Sequence, residues 1–173
     1  MRPFSAGCLL VCCFAVAAVT DTNARAVKQY SIEQFMNTAS IKGAAFSRDE
    51  RKILYSSDQS GIFNAYAVSI EGGAPTQLTQ STDDAIEVIS YLPTDERFLY
   101  SADHGGNELY HIYLRNEDAS VKDLTPDAKA RAVFFDWSFD KKSFFFEWNR
   151  RDSKFMDLYR MDVATWTPTL VYQ

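Results

Sequence analysis

The residue types in this 173-residue chain that could do chemistry are few, and their spacing narrows what they could do. His104 and His111 are the two histidines, and the three cysteines, Cys8, Cys12 and Cys13, all lie near the N-terminus. A zinc site needs three or four ligands at suitable spacing, which two histidines without a cysteine or an ordered carboxylate pattern do not supply. Asp58, Asp103 and Asn149 recur at one position of a repeat described below, in a loop between apolar runs. They could form a ring of polar contacts for a ligand or partner, or could organise each turn by accepting backbone amides. His104 lies beside Asp103 in a glycine-containing loop, and Arg150 and Arg151 follow Asn149. The arginine pair could hold a carboxylate or stand as a solvated basic corner. Trp137, Phe139, Phe144, Phe145, Phe146 and Trp148 form an aromatic block that could stack on a ligand, but strand-like surroundings make packing between sheets the simpler role. No two glycines stand four apart, so the Gly-x-Ser-x-Gly elbow that presents a nucleophilic serine is missing from this sequence. Neither a phosphate-binding glycine loop nor a His-Glu-x-x-His segment occurs. The expectation is no catalytic residue, no metal and no cofactor on this chain, with Asp58, Asp103, His104, Asn149, Arg150 and Arg151 as loop contacts.

The elements that would position these residues come from an internal repeat. Phe46 to Asp58 (FSRDERKILYSSD) overlays Tyr91 to Asp103 (YLPTDERFLYSAD) at a constant offset of 45, and Trp137 to Asn149 (WSFDKKSFFFEWN) follows 46 later. Second landmarks are Tyr66, Tyr110 and Tyr159, and the first two copies close on Leu78-Thr79 and Leu124-Thr125, with Leu170 or Val171 where the third pair is due. A period of this size fits either a helical solenoid or a propeller blade. The apolar runs are short, rich in β-branched and aromatic residues, and alternate at period two, as in Ala65, Ala67 and Ser69 against Tyr66, Val68 and Ile70. Four strands fit each copy, which predicts an all-β chain: an incomplete β-propeller of about three four-stranded antiparallel blades, at 41–82, 83–127 and 128–173. Acidic residues at Asp49-Glu50 and Asp95-Glu96 mark the first hairpin of a blade, and Gly72-Gly73 or Asn116 to Ala119 the last. Three blades fall below the four to eight usual for closure, so open sheet faces and association of the isolated chain are expected.

Residues 1–26 read as a secretory signal: Arg2, an apolar run from Ala6 to Val19, then Ala24-Arg25-Ala26 before a cut ahead of Val27. The run is too short to span a bilayer comfortably. Removing it removes every cysteine, hence any disulfide, and moves the net charge from −5 to −6, since it carries Arg2 and Arg25 against Asp21. A mildly acidic surface without basic blocks argues against nucleic acid and anionic membrane as partners. A lead-in at 27–40 holds one short helix, with Ser31 and Gln34 spaced as a capping box.

The lead-in YSIEQFM from Tyr30, the stretch GAAFSRDERKILYSSD from Gly43, then GIFNAY from Gly61 and GGAPTQLT from Gly72 resemble the N-terminal propeller of exported bacterial prolyl oligopeptidase-family serine peptidases, of the acylaminoacyl and dipeptidyl aminopeptidase type. Part of the pattern is shared with TolB-like periplasmic propellers. The resemblance implies a propeller that limits peptide access to a C-terminal α/β-hydrolase domain carrying a Ser-Asp-His triad, so the expected partners are that domain and peptide substrate, in the periplasm or outside the cell. No triad position maps onto this chain. The adjacent Glu pair that some dipeptidyl members use to hold a substrate amino terminus is also missing. The TolB-like alternative is a protein-binding module.

Overall fold

The computed structural model describes residues 27–173, and the predicted signal with its cleavage site after Ala26 lies outside the described residues. Among the described residues, 27–37 and those from Thr38 onward belong to separate units. In the first, helix α1 spans Ile32–Met36. Its capping box is formed: Ser31 Oγ accepts from the Gln34 amide at 3.2 Å, and Gln34 Oε1 accepts from the Ser31 amide at 3.1 Å. These bonds satisfy amides that a helix start leaves free.

The second unit is three antiparallel four-stranded sheets in chain order. The first holds β1 (Ile41–Phe46), β2 (Lys52–Ser57), β3 (Asn64–Ser69) and β4 (Thr76–Gln77). The second holds β5 (Glu87–Tyr91), β6 (Phe98–Ala102), β7 (His111–Arg115) and β8 (Val121–Asp123). The third holds β9 (Ala132–Trp137), β10 (Ser143–Trp148), β11 (Asp157–Asp162) and β12 (Pro168–Tyr172). Each sheet is a meander whose strands pair with their sequence neighbours. This is a partial β-propeller.

Period-two alternation lets the middle sheet serve two cores. Phe98, Tyr100 and Ala102 pack with Leu54 and Ala65 of the first sheet, and Val88 joins them. Leu99, Ile112 and Leu114 point the other way and pack against Phe144, Phe146, Trp148 and Met161 of the third. The aromatic block therefore divides: Phe144, Phe146 and Trp148 are core, whereas Phe139 sits fully exposed in the turn after β9 and does not fill the packing role predicted for it. Trp137 reaches the second sheet by donating its indole N–H to Ser90 Oγ at 2.9 Å.

The hairpins follow their local chemistry. Asp49, Asp95 and Asp140 each accept the backbone amide two residues on at 3.1 Å, as short acidic side chains do in bends. Leu-Thr closes β3 and β7 identically: Thr79 Oγ1 accepts the Ala65 amide and Thr125 Oγ1 the Ile112 amide, both at 2.9 Å. The cross-strand register moves one sequence landmark. Tyr66 stands opposite Tyr55 and Tyr159 opposite Phe146, but the residue opposite Tyr100 is Tyr113, not Tyr110. All three pairs stack, with centroids 5.8, 5.6 and 5.1 Å apart in that order. Tyr110 precedes β7 and uses its carbonyl to accept the Ala132 amide at 2.7 Å, joining sheet two to sheet three. Phe63 makes the same link to Ile86 at 2.9 Å between sheets one and two.

Every first strand carries an irregularity at one place: between Lys42 and Ala45, between Val88 and Ser90, and at Phe135 between the paired Phe134 and Asp136. Bulges sharpen twist and re-aim side chains, and the repetition marks these strands as equivalent edges. There Gly43, at φ +59°, comes so close to the second sheet that an added Cβ would lie 2.9 Å from the Val88 carbonyl oxygen.

Candidate functional site

Antiparallel meanders place the loops between second and third strands at one end of the sheets, together with the linkers from one sheet to the next. All six predicted loop residues are at this end. They do not form one constellation: among the described residues no hydrogen bond joins one of the three loops to another.

Asp58 and Asn149 do more than organise their own turns. Asp58 Oδ1 accepts the Ser40 amide and Asn149 Oδ1 the Arg131 amide, both at 2.7 Å, so each ties the residue before a first strand to the end of a second strand. Asp103 departs from this pattern and accepts the Glu108 amide at 2.8 Å. The ring of equivalent polar groups suggested by sequence is thus two backbone clasps and one loop cap.

His104 stands out from the surface, its side chain 89% exposed, with Nδ1 2.8 Å from Asp84 Oδ2. Asp84, in the linker between the first two sheets, also accepts the Gly105 amide at 2.8 Å. That amide first, and His104 second, hold the Asp84 carboxyl below its usual range, while the hydrogen bond to Asp84 raises His104. Exposed imidazole in such a pair can exchange a proton with solvent, and its side-chain hydrogen bond among the described residues goes to Asp84.

The arginine pair is already occupied in part. Arg151 forks onto the buried carboxylate of Asp157, with both bonds at 2.8 Å, which is the carboxylate-holding one of the two roles the sequence left open for the pair. Arg151 accordingly keeps the Asp157 carboxyl depressed. Arg150 is freer, lying over the Trp148 ring at 4.9 Å from its centroid and 3.8 Å from Asp127.

His111, counted in the sequence only as one of two histidines too few for a zinc site, is given a structural post by the fold. Its Nδ1 is 2.7 Å from Asp123 and its Nε2 is 2.9 Å from the Asp127 carbonyl oxygen. It occupies the position that Asn64 and Asp157 hold in the other sheets, opposite the end of the second strand, and all three cross-link within their blade. Among the described residues no three His, Cys, Asp or Glu side chains gather as metal ligands, and no helix is long and apolar enough to cross a membrane.

The sequence reading overlooked the other end of the sheets. There a cavity of 590 Å³ opens between the first two sheets, with Lys52, Tyr91, Glu96 and Arg115 among its walls. Burial pushes the Tyr91 phenol up to about 12, so it stays a neutral donor. Lys52 and Glu96 pair across it at 2.7 Å. Arg115 ends β7, where a sequence pattern reads only a polar residue after an apolar run.

Sheets of this topology define a propeller segment, and solved structures agree. TolB from Acinetobacter baumannii matches with a TM-score of 0.59 at 22% identity, over 76% of this chain and 32% of its own. A TolB-type protein from Agrobacterium tumefaciens matches at 0.61 and 19%, over 75% of this chain and 45% of its own. A prolyl endopeptidase, from work on inter-domain dynamics in catalysis and specificity, matches at 0.58 and 11%, over 76% of this chain and 21% of its own. The chain thus spans less than half the length of each. No protein-family model matches the sequence, and no curated protein does.

Proposed function

We propose that the chain is the opening part of the gating propeller of an exported serine peptidase of the prolyl oligopeptidase type. In this reading the three sheets restrict peptide access, and hydrolysis belongs to an α/β-hydrolase domain elsewhere in the polypeptide. The lead-in carries the reading: YSIEQFM resembles those peptidases rather than TolB-like propellers, and its capping box is formed. The candidate loops support a passive role, because their charged groups are engaged with the chain's own backbone and carboxylates rather than aligned as acid, base and nucleophile. The expected location is the periplasm or the medium, with a mature N-terminus at Val27.

Higher identity to the two TolB structures than to the prolyl endopeptidase favours a second reading, a periplasmic propeller that docks a protein partner. Sequencing the reading frame beyond Gln173 separates the two. The peptidase reading expects a Gly-x-Ser-x-Gly elbow downstream, followed by an aspartate and a histidine, and labelling of the native protein by a fluorophosphonate. Further propeller repeats without such an elbow, and no labelling, would refute it in favour of the docking module.

A further inference from the structure

The cavity between the first two sheets has the features of a ligand site, and it lies at the end opposite the loops considered above. Its 590 Å³ falls within the roughly 300–1,000 Å³ common for small-molecule pockets. Both sheets needed to form it are present among the described residues. One wall is apolar, from Ala67 and Leu78 of the first sheet and the ring of Tyr91 of the second. The open rim is formed at the Gly72-Gly73 hairpin and the edge strand β4.

The polar groups differ in how far they are satisfied. Lys52 and Glu96 neutralise each other at 2.7 Å. Arg115 has no carboxylate partner among the described residues. Its one hydrogen bond runs from Nη1 to the Asn116 carbonyl oxygen at 3.2 Å, and its Nε–H is sealed from solvent without a partner. The guanidinium is held in place by the Phe98 ring, 5.5 Å from its centroid. Arg115 also lines a second cavity of 540 Å³ beside Ile86 and Tyr100. The Nη2 amine, for which no hydrogen bond is formed among the described residues, leaves the guanidinium a donor for a planar, two-oxygen anion. Arg151 shows the same chemistry satisfied internally, forked onto Asp157.

We propose that this cleft binds a small carboxylate with an apolar body, the carboxylate on Arg115 and the body against Tyr91 and Leu78. The phenol of Tyr91 remains protonated and can donate to the same anion. Glu117, at the rim, disfavours binding by like charge. The site stands apart from the gating reading and would survive its failure.

Calorimetric titration of the full chain with benzoate tests it, with benzamide as the uncharged isostere. Benzoate should bind at one saturable site, at least about tenfold tighter than benzamide. Arg115→Met should weaken benzoate by at least about tenfold. Because that change also removes the contact with Phe98, Thr76→Trp provides a second test: it blocks the mouth from an exposed edge position and should weaken binding as much. Glu117→Gln should tighten it. Equal affinity for benzoate and benzamide, undiminished binding by either blocking variant, or no saturable binding would overturn the proposal.

Discussion

Gly43→Ala is expected to damage the contact between the first two blades, and the structure contains its own control. Gly43 and Gly105 have nearly the same left-handed backbone, at φ +59° and +62°. An alanine at either site pays for that conformation, about 1–2 kcal/mol. They differ in space. A Cβ at Gly105 meets nothing within 4 Å, whereas one at Gly43 would sit 2.9 Å from the Val88 carbonyl oxygen and 3.2 Å from Val88 Cγ2. The carbonyl is backbone and cannot rotate away, so β1 must withdraw from β5. Overpacking of this kind typically adds about 1–3 kcal/mol, giving about 2–5 kcal/mol for Gly43→Ala against about 1–2 for Gly105→Ala. Withdrawal would also lengthen the Lys42–Glu87 ion pair, 3.0 Å across the same strands. Equilibrium denaturation of both variants under the same conditions measures the difference as a shift in midpoint at unchanged slope. If the two unfolding free energies agree to within about 0.5 kcal/mol of each other, close approach of first strands does not set blade spacing and the reasoning fails.

Three further outcomes follow from individual contacts. Thr125→Val keeps the shape of a fully buried residue but strands the Ile112 amide, and should cost about 1–3 kcal/mol by denaturant melt. Tyr113→Ala should destabilise the protein clearly more than Tyr110→Ala, since Tyr113 stacks on Tyr100 at an interplanar angle of 15° while Tyr110 contributes its backbone carbonyl; equal losses would contradict the register. For pH, Asp84 raises His104, so any stability from this pair is complete below the unfolded histidine pKa of about 6.5 and disappears as pH rises through the higher folded value. Proton NMR should show the His104 midpoint falling in Asp84→Asn, and an unmoved midpoint would remove the pair.

The blade pattern was legible in the sequence because closure of a four-stranded sheet repeats the same demands. Each first hairpin needs an acidic bend residue, met by Asp49, Asp95 and Asp140, and each second strand needs an aromatic at the centre, met by Tyr55, Tyr100 and Phe146. Offsets failed where loop length varies. Tyr113 lies ten residues after Asp103, as Tyr159 lies ten after Asn149, but Tyr66 lies only eight after Asp58, so the spacing of the first copy points to His111 and its neighbour Tyr110 rather than to Tyr113. Linear order also hid every contact between blades. Arg151 could not be seen to be spent on Asp157, nor Phe139 to be exposed, because both facts depend on how a loop folds back.

Arg115 illustrates the general reason. Its equivalents, two residues beyond the third-strand tyrosine, are Val68 in the first sheet and Met161 in the third, so the other two blades place an apolar residue there. A cation where the other blades carry valine and a fully buried methionine is a departure from what the blade needs as a structure, so what this position carries differs from one cleft to the next. In the first cleft it carries a cation that meets no carboxylate among the described residues, over an apolar floor. The repeat accounts for the scaffold, and departures from the repeat are where ligand chemistry should be sought.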